Sequence, residues 1–244
     1  MAQRKINSAA FTTSYSGLSY GELSHSFADL LELTQRLVEY RHQPISARLR
    51  ELRQKRSMLH EDVLLLIYHL SKIGPGNILE IGPYLGGSTI AAALGIRESG
   101  QARTVVTVEP GGAFKHPRLS SRNILKDLRK NLAREGVADL VTIVEGYSGA
   151  RASVSAVHQA LPKTSVGLFV IDADGAVERD LNLYRDLLVP NCWLVIDDYY
   201  EPNPCGKVAR TRPQVDTLIS TGELHPLGLY GWGTWVGRWT GATE

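Results

Sequence analysis

Residues 77–90, Asn-Ile-Leu-Glu-Ile-Gly-Pro-Tyr-Leu-Gly-Gly-Ser-Thr-Ile, constrain the fold more than any other stretch of this 244-residue chain. A short apolar run ends at an acidic residue and a glycine turn, and small residues able to start a helix follow. Such a strand–turn–helix joint is where a parallel α/β sheet receives a nucleotide-like ligand. Gly82, Gly86 and Gly87 permit the sharp turn, and they allow a ligand to approach where a Cβ would collide. Ser88 and Thr89 are placed to cap the helix. No Walker lysine follows the glycines, which argues against a triphosphate cradle, and the spacing is not Gly-x-Gly-x-x-Gly. Glu80, just before the turn, would repel a pyrophosphate and suit a cationic or hydroxyl-rich ligand.

From Asn77 onward apolar strands alternate with helical patterns. Strands are expected at Ile78–Ile81, Thr104–Val108, Leu140–Val144, Gly167–Ile171 and Trp193–Ile196, with helices at Ser88–Ile96, Ser121–Glu135, Ala150–Ala160 and Ala176–Leu188. Short apolar strands separated by helices imply a parallel sheet covered on both faces. Leu224–Tyr230 and Thr234–Trp239, joined at Gly231-Trp232-Gly233, read as a hairpin. Before the sheet, residues 1–25 are rich in Ser, Gly and Tyr and read as an irregular lead-in. Helical periodicity follows at Phe27–Tyr40, from about Ile45 to Arg56 after Pro44, and at Glu61–Lys72, which runs into Gly74-Pro75-Gly76. The chain thus divides into a helical extension over 1–58, a cover or oligomerisation segment, and one domain over 59–244.

The hydrophobic share of 43% and charged share of 21% are those of a soluble globular protein. A net charge of +2 implies no nucleic-acid partner, and no apolar run is long enough to span a membrane. The first residues carry basic side chains without an apolar core behind them, so no secretory signal is read. Cys192 and Cys205 fit a reducing, cytoplasmic setting, with Cys192 a small core residue.

The glycine joint suits S-adenosylmethionine, which carries a sulfonium, an ammonium and a ribose but no phosphate. It resembles the first motif of class I methyltransferases, in the catechol O-methyltransferase-like branch, at Glu80, Gly82, Tyr84, Gly86 and Ser88. The resemblance covers roughly residues 60–240. It implies an α/β fold: a doubly wound, mainly parallel seven-stranded Rossmann-like sheet ending in an antiparallel hairpin.

Ligands in such sheets bind beyond the carboxyl ends of the strands. Glu109 follows the second strand, where a carboxylate can accept from both ribose hydroxyls. Gly146 and Ser148 follow the third and match the branch's adenine-contacting loop; Ser148 can equally cap the next helix. Tyr147 either stacks on the adenine or covers the sheet edge. The fourth strand ends in Asp172-Ala173-Asp174-Gly175 and the fifth in Asp197-Asp198-Tyr199-Tyr200. Carboxylates converging there repel unless a hard divalent cation compensates them. The resemblance places metal ligands at Asp172, Asp197 and Asp198, with Asp172 also touching the cofactor, and implies Mg²⁺. The reaction it implies is in-line methyl transfer to the oxygen of a small hydroxylated acceptor, as in natural-product tailoring.

One departure stands out. The branch often carries a basic residue three positions beyond the metal Asp, and here that position is Gly175. Candidates to take a proton instead are Asp172 and Asp174 as catalytic acids, with Tyr199, Tyr200 and His60 behind them. Rival readings are a metal-independent N- or O-methyltransferase and a methyltransferase fold kept as a non-methylating binding subunit; a nicotinamide-binding protein is disfavoured by the glycine spacing. In relatives the leading segments cover the acceptor pocket and help form a homodimer. The run Arg48, Arg50, Arg53, Lys55 and Arg56 either attracts an anionic acceptor or is a solvated face. The late aromatics Tyr230, Trp232, Trp235 and Trp239 either wall the acceptor site or pack the hairpin.

Overall fold

Period-two alternation sends neighbouring residues of each central strand into different cores. In the computed structural model, which describes residues 20–203 and 206–241, Ile78, Val105, Leu168 and Val195 enter one buried cluster. Leu79, Val106, Phe169 and Ile196 enter the other. Near-continuous apolar strands are therefore explained by a sheet buried on both faces.

The elements are α1 (Tyr20–Tyr40), α2 (Pro44–Arg56), α3 (Glu61–Ile73), β1 (Asn77–Ile81), α4 (Gly87–Ser99), β2 (Val105–Glu109), α5 (Ile124–Arg134) and β3 (Val141–Glu145). There follow α6 (Arg151–Ala160), β4 (Val166–Ile171), α7 (Val177–Tyr184), β5 (Leu188–Ile196), α8 (Val208–Ser220), β6 (Leu224–Tyr230) and β7 (Thr234–Trp239). The seven-stranded sheet has the order β3-β2-β1-β4-β5-β7-β6. β1, β2, β3, β4 and β5 run parallel, while β7 pairs antiparallel with both β5 and β6. The order reverses at β1, which places the β1–α4 turn at the topological switch point. No helix among the described residues is long and apolar enough to cross a membrane.

The expected doubly wound sheet and hairpin are present, with four local corrections. α1 begins at Tyr20, inside the segment read as irregular, because that stretch continues the helix behind it; residues 1–19 and Cys205 lie outside the described residues. β5 starts at Leu188 rather than Trp193: its register skips between Val166 and Leu168 of β4, and Asn191 takes φ +58°. Pro190 and Asn191 are turn formers that hide such an irregular strand start. α7 is accordingly shorter than read, ending at Tyr184. α8 has no counterpart in the sequence reading, since Pro213 lies inside it and removes one helical hydrogen bond.

α1 and α2 share the first core, through Leu33, Leu37, Leu49 and Leu52. The end of α1 is tied to α3 by buried aromatics: Tyr40 Oη and His69 Nδ1 lie 3.0 Å apart, and the Tyr40 and Tyr68 rings meet edge-on at 5.5 Å. Burial pushes His69 down to about 4, and the Arg36 and Lys72 cations add to the shift. A histidine held neutral in the fold contributes stability above its unfolded value near 6.5, and that contribution is lost as pH falls towards 4. The urea-denaturation stability gap between the natural protein and His69→Gln is expected to shrink by up to about 3 kcal/mol on acidification from neutral pH to pH 4. A gap independent of pH would reject a neutral buried imidazole.

Candidate active site

The glycine joint is built for chain against chain. Gly82 has φ +86°, and a Cβ on it would come 1.9 Å from the carbonyl oxygen of Asp172. The ends of β1, β2 and β4 are stitched at this level: Gly82 N donates to Val108 O of β2 at 3.1 Å, and Asp172 N, just past β4, donates to Ile81 O of β1 at 2.9 Å. Gly86, at φ +90°, is itself the residue preceding α4, and a Cβ there would meet Leu128 Cδ1 at 2.7 Å. Ser88 and Thr89 therefore do not cap α4; they lie inside its first turn, and no side-chain cap is made.

Thr89 instead donates to Glu80 Oε2 at 2.6 Å, and Thr107 on β2 donates to the same oxygen at 2.9 Å. Glu80 is buried beneath the turn. Burial raises its carboxyl above the usual range, and the hydroxyls of Ser88, Thr89 and Thr107 oppose the rise. This placement makes Glu80 a brace for the turn from below.

Above the turn lies a cavity of about 310 Å³, whose walls include Gly82, Tyr84, Glu109, Tyr147, Ser148 and Asp174. Glu109 is oriented by two backbone donors, Tyr84 N on Oε2 at 3.2 Å and Gly111 N on Oε1 at 2.8 Å. Each carboxylate oxygen can accept again. Tyr84 is held with φ +50°, its hydroxyl donating to Leu119 O and its ring edge-on to Phe114 at 5.6 Å. Tyr147 is exposed on the cavity rim.

Ser148 does not cap α6, which is preceded by Ala150. Its hydroxyl donates to Asp180 Oδ1 at 2.8 Å and accepts from Arg179 Nη2 at 2.8 Å. Arg179 also grips Asp174, with Nη1 to Oδ2 at 2.8 Å and Nη2 to Oδ1 at 3.1 Å. That grip holds the Asp174 carboxyl below its usual value, so it is a poor proton acceptor at neutral pH. Gly146 lies behind the wall, where a Cβ would meet Ser153 Oγ at 2.4 Å.

A second cavity, of about 440 Å³, adjoins the first and shares Met58, Asp172 and Lys207 with it. Carboxylate oxygens of Asp172, Asp197 and Asp198 come within 4.8 Å of one another there; Asp174 is not in the group. Asp197 accepts from the Thr234 hydroxyl on β7, and Asp198 sits at φ +55°. A non-glycine residue in that region stores strain that the surrounding structure must hold. Burial first, then the charge of Asp197, pushes Asp172 well above the usual carboxylate range; burial and Asp198 push Asp197 up.

Lys207, just before α8, brings its ammonium within 3.6 Å of Asp172 Oδ1 and 3.5 Å of Asp198 Oδ2. Burial alone would lower its pKa, but the carboxylates outweigh it and the net shift is upward. Three hard oxygen donors facing one ammonium are a donor set suited to a divalent cation.

Of the other proton-acceptor candidates, Tyr199 is engaged away from the second cavity, whereas His60 and Tyr200 line it. Tyr199 donates to Asp216 Oδ1 at 2.6 Å, and burial pushes its phenol up. His60 precedes α3, where its Nδ1 accepts from Asp62 N at 3.1 Å, and its ring meets Trp232 edge-on at 5.1 Å in the wall of the second cavity. Tyr200 also lines that cavity. Of the late aromatics, Trp232 faces the cavity while Trp235 and Trp239 are buried. The arginine run is largely paired within the chain: Arg48 and Arg56 with Glu135, Arg50 with Glu61, Lys55 with Glu51, and Arg53 over the Trp232 ring.

Sequence reasoning missed Met58, Arg179 and Lys207. Lys207 sits nine positions beyond Asp198, past a Pro- and Gly-containing loop, so no spacing signals its return.

Residues 79–199 match the family model described as a methyltransferase domain. Among solved structures, the chain is similar to a Staphylococcus aureus protein provisionally named a caffeoyl-CoA O-methyltransferase, with 19% identity and TM-score 0.62 over 86% of this chain and 100% of that one. It is similar to an O-methyltransferase from Streptomyces achromogenes involved in tomaymycin synthesis, in complex with S-adenosylmethionine (18% identity, TM-score 0.53, 98% and 99% covered). A Podospora anserina methyltransferase bound to S-adenosylhomocysteine is also similar (16% identity, TM-score 0.57, 98% and 97% covered). At these identities the likeness establishes the fold. No curated protein sequence matches the chain.

The Gly82–Asp172 approach leaves no room for a side chain. Gly82→Ala is expected to cost about 3 kcal/mol or more in chemical denaturation, because strain at positive φ adds to backbone overlap. A variant as stable as the natural protein would show that the two strand ends are free to separate.

Proposed function

We propose that the chain is a class I methyltransferase that transfers a methyl group from S-adenosylmethionine to the hydroxyl of a small molecule, assisted by a divalent cation, a reading supported by the matching methyltransferase domain and the shared fold. The observation that carries the reading is the pair of cavities meeting at Asp172, one rimmed by hydrogen-bonding groups beside the glycine turn and the other by carboxylates. The named neighbours that bind S-adenosylmethionine or its product support the same cofactor here.

In this reading the first cavity holds the methyl donor, which supplies an electrophilic sulfonium methyl. Glu109, already oriented by Tyr84 and Gly111, accepts from ribose hydroxyls. Gly82 and Tyr84 form the turn beneath the donor, with Glu80, Gly86 and Ser88 setting its shape. Ser148, with Gly146 behind it, lines the far end, where Arg179 fixes it together with Asp174. Asp172 stands between donor and acceptor. The chain's contribution is alignment of the two reactants, a large part of the barrier to a bimolecular transfer.

Asp172, Asp197 and Asp198 would hold the cation, Mg²⁺ being the natural choice for an all-oxygen site. When bound, it supplies stabilisation of negative charge on the acceptor oxygen, which eases loss of the hydroxyl proton. Asp172 lines both cavities, which supports assigning it contact with both donor and acceptor in this reading. A metal-independent transfer is the second reading, and the ammonium of Lys207 among the acids is the observation that favours it.

Calorimetry with S-adenosylhomocysteine is expected to show saturable binding; its absence at millimolar ligand would remove the donor site. For the cation, Asp197→Ala is expected to lose at least about tenfold of the divalent-stimulated turnover on a phenol and hydroxy-compound panel while still binding S-adenosylhomocysteine. Full activity of the natural protein in a chelator would select the metal-independent reading.

A further inference from the structure

Lys207 is held where a lysine is locally unfavourable. It immediately precedes α8, and a cation at a helix N-terminus opposes the helix dipole. Its backbone is packed: a Cβ on Gly175 would come 3.0 Å from the Lys207 carbonyl oxygen. The side chain remains 43% exposed, so the ammonium reaches the acids on a flexible stem that can also extend to solvent.

Two of the three clustered carboxylates, Asp172 and Asp198, share this ammonium at 3.6 Å and 3.5 Å. A divalent ion bound to their oxygens would sit within roughly 2–3 Å of each. An ammonium left in place would then face a double positive charge across a few ångströms of partly desolvated space, where like charges repel strongly. The two cations cannot share the acids at full strength.

We infer that Lys207 is a tethered cation that neutralises Asp172 and Asp198 when no divalent ion is bound and competes with that ion for them, so that it sets the affinity of the site. This rests on the proposed cation site and specifies how the chain regulates it. Lys207 acts as a positioning residue: it keeps the acids together in the absence of an ion and withdraws when one enters. The same device keeps weakly held ions from occupying the acids.

The test is Mn²⁺ binding to the full chain, read by electron paramagnetic resonance of free Mn²⁺, for the natural protein, Lys207→Met, Lys207→Gln and Lys207→Arg. Met preserves the length of the stem without its charge, and Gln is a second neutral variant if Met fails to fold. The neutral variants are expected to bind Mn²⁺ at least about tenfold more tightly than the natural protein, with Arg close to the natural protein. Adding Asp198→Asn to the Met variant should erase the gain, which locates the ion at the cluster. Binding by the neutral variants alone, with a silent natural protein, supports the inference in its strongest form. Neutral variants no tighter than the natural protein would overturn the competition while leaving the cation site standing. Failure of every protein to bind Mn²⁺ at millimolar concentration would overturn the cation site and the competition together.

Discussion

The carboxyl-terminal edge of the sheet gathers like charge that the fold must restrain. Glu80, Glu109, Asp172, Asp197 and Asp198 all stand at the ends of β1, β2, β4 and β5, with Lys207 the ammonium that reaches Asp172 and Asp198. Four of these acids are held by different devices. Hydroxyls of Thr89 and Thr107 hold Glu80, backbone N–H groups hold Glu109, the Thr234 hydroxyl holds Asp197, and backbone pairing pins Asp172 beside Gly82. Apolar residues of similar volume would remove this repulsion, since buried charge is weak evidence for stability. Raised carboxyls at Glu80, Glu109, Asp172 and Asp197, beside the topological switch point, and the strained backbone of Asp198 therefore point to chemistry.

That restraint depends on close backbone approach. The 1.9 Å clash a Cβ on Gly82 would make shows how little separates the β1 turn from the Asp172 carbonyl. The consequence is functional: the residue that closes the first cavity also opens the second. Asp172 cannot shift without disturbing the wall of both cavities, so their relative position is tied to one close backbone contact.

Much of this arrangement was legible because strand ends announce themselves. Apolar runs closing on Glu-x-Gly, Glu-Pro and Asp-x-Asp are local patterns, and parallel topology brings their ends to one edge whatever the details of packing. The roles inside the edge were less legible. The burial of Glu80 against Thr89 and Thr107 was not visible locally, and Ser148, read as part of the adenine-contacting loop or as a cap, is gripped by Arg179 from α7 rather than capping a helix. Both depend on contacts across long sequence separation, which no local spacing encodes. Lys207 is the extreme case: a turn rich in Pro and Gly hides both α8 and the ammonium that precedes it.

The division of the site between parts of the chain explains why the reaction class is easier to recognise than the acceptor. Nearly all the wall of the first cavity comes from within residues 79–199, the span that matches the methyltransferase domain, with Met58 and Lys207 the additions. The second cavity takes Asp172, Asp197 and Asp198 from that span but Met58, Leu59 and His60 from before it, and Tyr200, Glu201, Trp232 and Thr234 from after it. Those flanking pieces meet across the cavity, His60 against Trp232 and Arg53 over the same indole. The shape of the second cavity is thus set by packing between the α2–α3 link, the start of α3 and the β6–β7 hairpin. The hairpin shares no strand with the glycine turn, whereas the α2–α3 link packs against it, with Ser57 against Gly87 and Met58 in both cavities. Met58 lines both cavities, so Leu59, His60 and residues 232–234 are the flanking positions that shape the second cavity without lining the first.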